Sequence, residues 1–74
     1  MSTALPSMLP HVLYVEASGA IAGWGYCMSP ADQATTASAL PPGVALLAVP
    51  LSAYLQVARA PAEWKVSGGA VVAA

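Results

Sequence analysis

The sequence carries very little charge. Of its 74 residues two are basic and three are acidic, so charged side chains make up 7 % of the chain and the net charge is −1. In ordinary soluble domains about a quarter of residues are charged. Two basic residues cannot neutralise a row of phosphates, which argues against nucleic-acid binding and against attachment to anionic lipid. Something other than charge must cover the surface of this protein.

The chain also has only one cysteine, Cys27, and one histidine, His11. An intrachain disulfide is therefore impossible, and we interpret Cys27 as a small buried hydrophobe. Neither residue stands in a closely spaced set of metal ligands, and only Glu16 or Asp32 could orient His11 for Ser-His-Asp chemistry. We expect no metal, no cofactor, no catalytic residues and no enzymatic activity.

Long apolar runs are absent as well. A membrane-spanning helix needs about 20 apolar residues, whereas the longest unbroken run is Val44–Val49, and three prolines interrupt the uncharged stretch 33–58. We therefore expect no spanning helix. A small membrane peptide that inserts through Val44–Ala58 is the weakest of the functional alternatives.

The N-terminal segment is uncharged and contains two prolines. We expect no signal peptide, because no Lys or Arg precedes the cleavage-like Ala20–Ala22 and Glu16 lies inside the apolar region. Proline fixes its own backbone and pushes the preceding residue out of the helical region. The sequence thus predicts an extended arm over residues 1–10 and a single small β-rich domain over residues 11–74.

The first part of the domain predicts a β-hairpin. Alternating residues indicate a strand at His11–Val15 and a second strand at Ala20–Met28. The connecting Glu16–Gly19 is a turn in which Gly19 can adopt the left-handed conformation.

The second strand has aromatic residues on one side and glycines on the other. Its alternation places Ala20, Ala22, Trp24, Tyr26 and Met28 on one face, and Ile21, Gly23, Gly25 and Cys27 on the opposite face. We interpret Trp24, Tyr26 and Tyr14 as a core cluster, because aromatics at spacing two usually pack against cross-strand neighbours. A ligand platform built from the same three residues is the alternative. The glycines indicate a bulge, a tight bend or another backbone lying close.

The sequence predicts one helix from its first residues and leaves the structure of a second segment open. Ser29 as cap, Pro30 at the first helical position and Asp32 in the first turn predict a short helix that ends near Ala37. In residues 51–58, four apolar side chains recur at helical spacing and Ser52 could cap a turn, but so short a segment does not decide between helix and strand. Those four side chains are Leu51, Tyr54, Leu55 and Ala58.

The remaining segments predict a strand and a closing hairpin. Val44–Val49 follows a Pro-Pro-Gly turn, and its lack of polar alternation predicts a strand covered on both faces. The hairpin runs through Ala62–Val66, a Ser67–Gly69 turn and Ala70–Ala74, with Glu63 and Lys65 on the outward side of an edge-like strand.

Together these elements predict a mainly β fold, either a small sheet or a barrel-like module, made of two hairpins plus a central strand with one or two short helical turns. The aromatic residues are the candidates for interface or packing: Tyr14, Trp24, Tyr26, Tyr54 and Trp64. The structural turn residues are Gly19, Gly68 and Gly69.

The order of these motifs resembles a small module of tailed-bacteriophage virion proteins. The resemblance covers residues 12–73 and is carried by Tyr14–Cys27, by Pro42-Gly43-Val44 with its strand, and by Trp64–Val72. The chain departs from the pattern at Ser67, where an acidic residue is usual, and in the greater length of residues 51–61.

The resemblance implies a non-enzymatic structural part of a phage particle, in the tail or tail-fibre apparatus, made in the host cytoplasm and incorporated into the virion. Its partners would be other virion structural proteins and further copies of itself, and three-fold association would suit a fibre. The low charge agrees with a surface that other subunits cover. A head decoration, cement or connector protein of the capsid is the main alternative.

Overall fold

A computed structural model describes residues 9–74, which form two small sheets and two short helices. In chain order the elements are β1 (Leu9–Val15), β2 (Ile21–Cys27), α1 (Pro30–Ser38), β3 (Val44–Ala48), α2 (Leu51–Arg59), a 3₁₀ turn (Pro61–Glu63), β4 (Trp64–Ser67) and β5 (Ala70–Ala73). The predicted mainly β class is confirmed. The predicted N-terminal arm lies outside the described residues, except that Leu9 and Pro10 form the beginning of β1.

The larger sheet has three antiparallel strands in the order β2-β1-β3. The residues of β3 are half-buried, and Ala48 at its end is exposed. The prediction that both faces of this strand are covered is therefore wrong. An apolar run shows that a strand can be buried on both faces, but not that it is. This short chain has too few elements to cover both faces of an edge strand.

The β1–β2 hairpin closes through the predicted turn at Gly19. This glycine has a φ of +80°, and its N–H donates to the carbonyl of Val15 over 2.7 Å. Its own carbonyl accepts from the N–H of Val66 over 2.8 Å, next to an isolated bridge between Ala20 and Lys65. The same glycine thus closes the first hairpin and joins the two sheets.

A β-bulge interrupts β2 at Ala22. Leu13 pairs with Gly23, whereas Tyr14 pairs with Ile21, so Ala22 is the extra residue. Because directly paired residues share a face, Ile21 lies on the side of Tyr14 and joins the core. The prediction that Ile21 shares the glycine face is wrong, since the extra residue reverses the alternation. The bulge that the glycines indicated is present.

Helix α2 covers one face of the larger sheet. Val57 in α2 and Val12 in β1 are both fully buried and form the core with Val66 of β4. This burial explains why the undecided segment is helical. Its first turn has Pro50 as N-cap and no side-chain cap, so the prediction that Ser52 caps the helix is wrong. Half-buried residues complete the core: Tyr14, Ile21, Leu47, Val49, Trp64 and Val71.

Helix α1 begins where its capping residues predict. The Ser29 hydroxyl accepts from the N–H of Asp32 over 3.1 Å, and Pro30 is the first helical residue. The helix continues to Ser38, one residue beyond the predicted end.

The closing hairpin forms a two-stranded sheet, in which Ser67 pairs with Ala70. Gly68 and Gly69 both have positive φ, as a two-residue type I′ turn requires, so Ser67 belongs to the strand. The first strand begins at Trp64, two residues later than predicted, because Pro61–Glu63 form a 3₁₀ turn.

Candidate interaction surface

The predicted aromatic residues fall into two groups. Tyr14 and Trp64 are half-buried and pack against the core. Trp24 and Tyr26 remain 41 % and 53 % exposed. The interpretation of Trp24 and Tyr26 as core residues is therefore wrong, because α2 packs its buried Val57 on β1 and meets the edge strand β2 without covering these two side chains.

The fifth aromatic residue, Tyr54, connects this edge strand to α2. Its ring meets the ring of Tyr26 edge to face, with 6.4 Å between the centroids and 86° between the planes. Perpendicular aromatic pairs of this kind are favourable because the positive edge of one ring meets the negative face of the other. The contact fixes which side of α2 faces β2.

Three further apolar side chains extend the exposed area. Met28 follows β2 and is 54 % exposed, while Leu51 and Leu55 in α2 are 48 % and 50 % exposed. Residues three and four positions apart are neighbours on a helix, so Leu51 lies beside both Tyr54 and Leu55, and the three residues form one continuous apolar stripe on α2. We use the name β2–α2 surface for Tyr54 and the five exposed apolar residues around it. These five are Trp24, Tyr26, Met28, Leu51 and Leu55.

Sequence reasoning identified part of this surface. Trp24, Tyr26 and Tyr54 were interface or packing candidates, whereas Met28 was not. The spacing of Leu51 and Leu55 with Tyr54 predicted a shared helix face. It gave no sign that this part of the face lies outside the core.

The backbone of β2 has hydrogen-bonding groups that point away from β1. On β1, the Val15 N–H donates to Ala20 on the β2 side, and the Glu16 N–H donates to Gly43 on the β3 side. Successive residues of a strand bond to alternate sides. Odd-numbered residues of β1 therefore bond to β2 and even-numbered residues to β3.

This alternation fixes the direction of each backbone group in β2. His11 pairs with Gly25, so the glycine directs its N–H and C=O towards β1. Its neighbours Trp24 and Tyr26 must direct theirs to the outer edge. The bridge between Ala20 and Lys65 occupies the start of that edge, and within residues 9–74 no other strand pairs with it.

This outer edge lacks the features that usually prevent strand pairing. Exposed edges are commonly protected by charged side chains, especially Lys, or by proline. Residues 20–28 contain neither, and the nearest charged residues in the sequence are Glu16 and Asp32. An apolar, unprotected edge is suited to accept another strand.

The opposite face of the sheet holds a buried polar cluster. The Cys27 Sγ atom lies 3.9 Å from His11 Nδ1 and 3.6 Å from Thr36 Oγ1, which ties β1, β2 and α1 together. Burial lowers the pKa of His11, and a hydrogen bond with the Leu9 backbone partly opposes this effect. His11 and Cys27 are buried, with 5 % and 8 % of their surface exposed, whereas Thr36 is half-buried. The prediction that Cys27 is buried is confirmed.

Two glycines of β2 face side chains of β1. A Cβ atom on Gly25 would lie 3.4 Å from Nε2 of His11, and one on Gly23 would lie 3.5 Å from a methyl group of Leu13, which are ordinary contact distances. The neighbours of both glycines are thus side chains, and the alternative prediction that another backbone lies close to them is wrong.

Residues 9–74 contain no group of three His, Cys, Asp or Glu side chains that could hold a metal ion. Within the same range, no helix is long and apolar enough to cross a membrane. Comparisons of the chain with protein-family models, with curated proteins and with solved structures found no match.

Proposed function

We propose that this chain is a non-enzymatic structural protein that acts through contacts with other protein subunits. The observation that carries the proposal is the β2–α2 surface, on which five large apolar side chains are exposed beside an uncharged strand edge. Single exposed apolar residues are common on monomers, whereas a group of them marks a contact site.

The small core supports the same proposal. Among residues 9–74 the buried hydrophobic residues are Val12, Cys27, Val57 and Val66. A domain of this size buries a modest fraction of its surface and has correspondingly marginal stability. A partner that covers the β2–α2 surface would stabilise the folded chain, because binding to the folded state alone shifts the folding equilibrium.

We assign the assembly to a tailed-bacteriophage particle, with the tail or tail fibre as the location and the head, as decoration, cement or connector protein, as the alternative. The resemblance of residues 12–73 to a module of such virion proteins supports the assignment. The segments that carry the resemblance form a hairpin, a strand after Pro42-Gly43 and a closing Gly-Gly hairpin, with α1 and α2 between them. The protein would be made in the host cytoplasm and would need no cofactor.

The test is to purify tailed particles on a density gradient from the source that encodes the chain, and to count copies per particle by quantitative mass spectrometry. We expect a fixed copy number, and electron microscopy of particles with a labelled chain should show the label on the tail. A label on the head would select the alternative location. Absence of the chain from intact particles would refute the virion assignment.

A pair of variants on α2 tests the surface itself. Leu55→Asp places a charge on the β2–α2 surface, whereas Gln56→Asp places the same charge on the next exposed residue, outside that surface. We expect at least tenfold fewer copies per particle for Leu55→Asp and no change for Gln56→Asp. Equal incorporation of the two variants would show that partners do not use the surface.

A further inference from the structure

We propose that two copies of the chain pair through the outer edges of their β2 strands, antiparallel and around a two-fold axis at Gly25. This inference rests on the proposed function, because it names a second copy as the partner of the β2–α2 surface. Pairing would join two three-stranded sheets into one continuous sheet.

The outward backbone groups of β2 are self-complementary in this arrangement. With Gly25 on the axis, Trp24 lies opposite the partner's Tyr26, and Tyr26 lies opposite the partner's Trp24. Both residues direct their N–H and C=O groups outward, so each of these two pairs exchanges two backbone hydrogen bonds. The bridge between Ala20 and Lys65 limits the pairing to the part of β2 beyond the bulge, Gly23–Cys27.

The side chains fit the same register. On one face Trp24 packs across the axis against the partner's Tyr26, and such aromatic cross-strand pairs are stabilising. Tyr54 contacts Tyr26, so Leu51, which lies beside Tyr54 on α2, flanks these aromatic pairs. On the other face Gly25 lies opposite the partner's Gly25 as a non-hydrogen-bonded pair, in which the Cα atoms are about 4.5 Å apart.

The size and charge of the surface suit a second copy. From the exposed fractions of its five residues, the β2–α2 surface offers roughly 500 Å² per copy. Complete burial of these side chains in two copies would remove about 1,000 Å², the size at which specific interfaces are separated from incidental contacts. Residues 17–31 carry no charge, so two identical surfaces approach without repulsion.

The other free edge of the sheet, at β3, is less suited to pairing. Four of its five residues are half-buried, and the exposed one, Ala48, has a small side chain. The exposed large apolar side chains of the described chain belong to β2, to the residue after it and to α2. Pairing at β3 would provide the backbone hydrogen bonds without comparable apolar contact.

Sedimentation of the isolated chain over a range of concentrations tests the proposal. The wild type should reach twice the mass of one chain. Tyr26→Lys puts a charge on the proposed interface, and Ala48→Lys puts the same charge on the opposite edge. We expect Tyr26→Lys to raise the dissociation constant at least tenfold and Ala48→Lys to leave it unchanged. A monomer at every concentration, a trimer, or equal effects of the two variants would overturn the proposal.

A cross-linking experiment tests the register and does not depend on Tyr26. Gly25→Cys places two thiols across the axis, at a Cα separation that a disulfide can bridge. Trp24→Cys is the control, because its thiol would face the partner's Tyr26. We expect a disulfide-linked dimer for Gly25→Cys under mild oxidation, and none for Trp24→Cys or the wild type. Failure of Gly25→Cys to cross-link, or equal cross-linking of both variants, would overturn the proposed register.

The two proposals fail in different ways. A chain that is monomeric in solution but has a fixed copy number in particles would refute the β2 pairing and leave the structural role. A chain that dimerises through β2 but is absent from particles would refute the virion assignment and leave the pairing.

Discussion

Among the glycines of the described chain, Gly19 is the one at which an added methyl group should lower the free energy of unfolding most. Gly19→Ala introduces a Cβ at a φ of +80° that would overlap the carbonyl oxygen of Val66. The left-handed backbone alone costs an L-residue about 1 kcal/mol. Relieving the overlap must also displace β4 and lengthen the hydrogen bond from the Val66 N–H to the Gly19 carbonyl, which costs about 1 kcal/mol more.

We therefore expect Gly19→Ala to lower the free energy of unfolding by about 2 kcal/mol. For a domain of this length that corresponds to a fall in Tm of roughly 8–16 °C. Such a loss is a large part of the stability of a small domain. Thermal melts followed by circular dichroism, together with urea titrations, measure both quantities.

Gly43→Ala is the matched control for this prediction. Gly43 has a similar φ of +85°, but a Cβ there would meet no atom within 4 Å. Both substitutions also reduce the entropy of the unfolded chain equally, so that effect cancels in the comparison. We expect Gly43→Ala to cost about 1 kcal/mol. Equal destabilisation by the two variants would refute a close contact between the turn and β4.

Three further predictions concern other parts of the chain. Ser29→Ala removes the acceptor for the Asp32 N–H and should lower the free energy of unfolding in urea by about 1 kcal/mol. Trp24→Ala should destabilise the monomer, under dilute conditions, by less than the roughly 3–5 kcal/mol typical of a buried Trp, because Trp24 is 41 % exposed. Burial lowers the pKa of His11 in the folded state, so the unfolded chain binds more protons below about pH 6.5 and Tm should fall on acidification from about pH 8 to about pH 5.

Each of these predictions has a result that contradicts it. An unchanged urea midpoint for Ser29→Ala would mean that the cap does not stabilise α1. A loss of 3 kcal/mol or more in Trp24→Ala would indicate that the Trp24 side chain is buried in solution. For the acid effect, His11→Asn is the informative variant. If its Tm falls with pH as steeply as that of the wild type, other groups cause the dependence.

The parts of the fold that local chemistry determines were predictable. Gly19 and the Gly68-Gly69 pair mark turns because few other residues adopt their backbone conformations, and both hairpins are present. Ser29 and Pro30 mark a helix start for similarly local reasons, and α1 begins there. None of these features depends on a distant part of the chain.

The features that distant contacts determine were not predictable. Residues 51–58 became a helix because Val57 reaches the core beside Val12, and nothing within the segment itself indicates that contact. The bulge at Ala22 was suggested by the neighbouring glycines, but its effect on Ile21 follows only from the register with β1. Alternation shows which residues share a face and does not show which face is covered.

Geometry explains why an exposed apolar face had to arise somewhere in this fold. Strands lie about 4.8 Å apart and a helix is about 10 Å wide, so one helix covers about two strands. Helix α2 packs on β1 through Val57 and Val12 and meets β2 through Tyr54 and Tyr26, and a single helix on a three-stranded sheet leaves part of that face exposed. An exposed area would be least unfavourable if its residues were small or polar. The exposed part of β2 instead carries Trp24 and Tyr26, which argues that this edge is an interface rather than a by-product of a short chain.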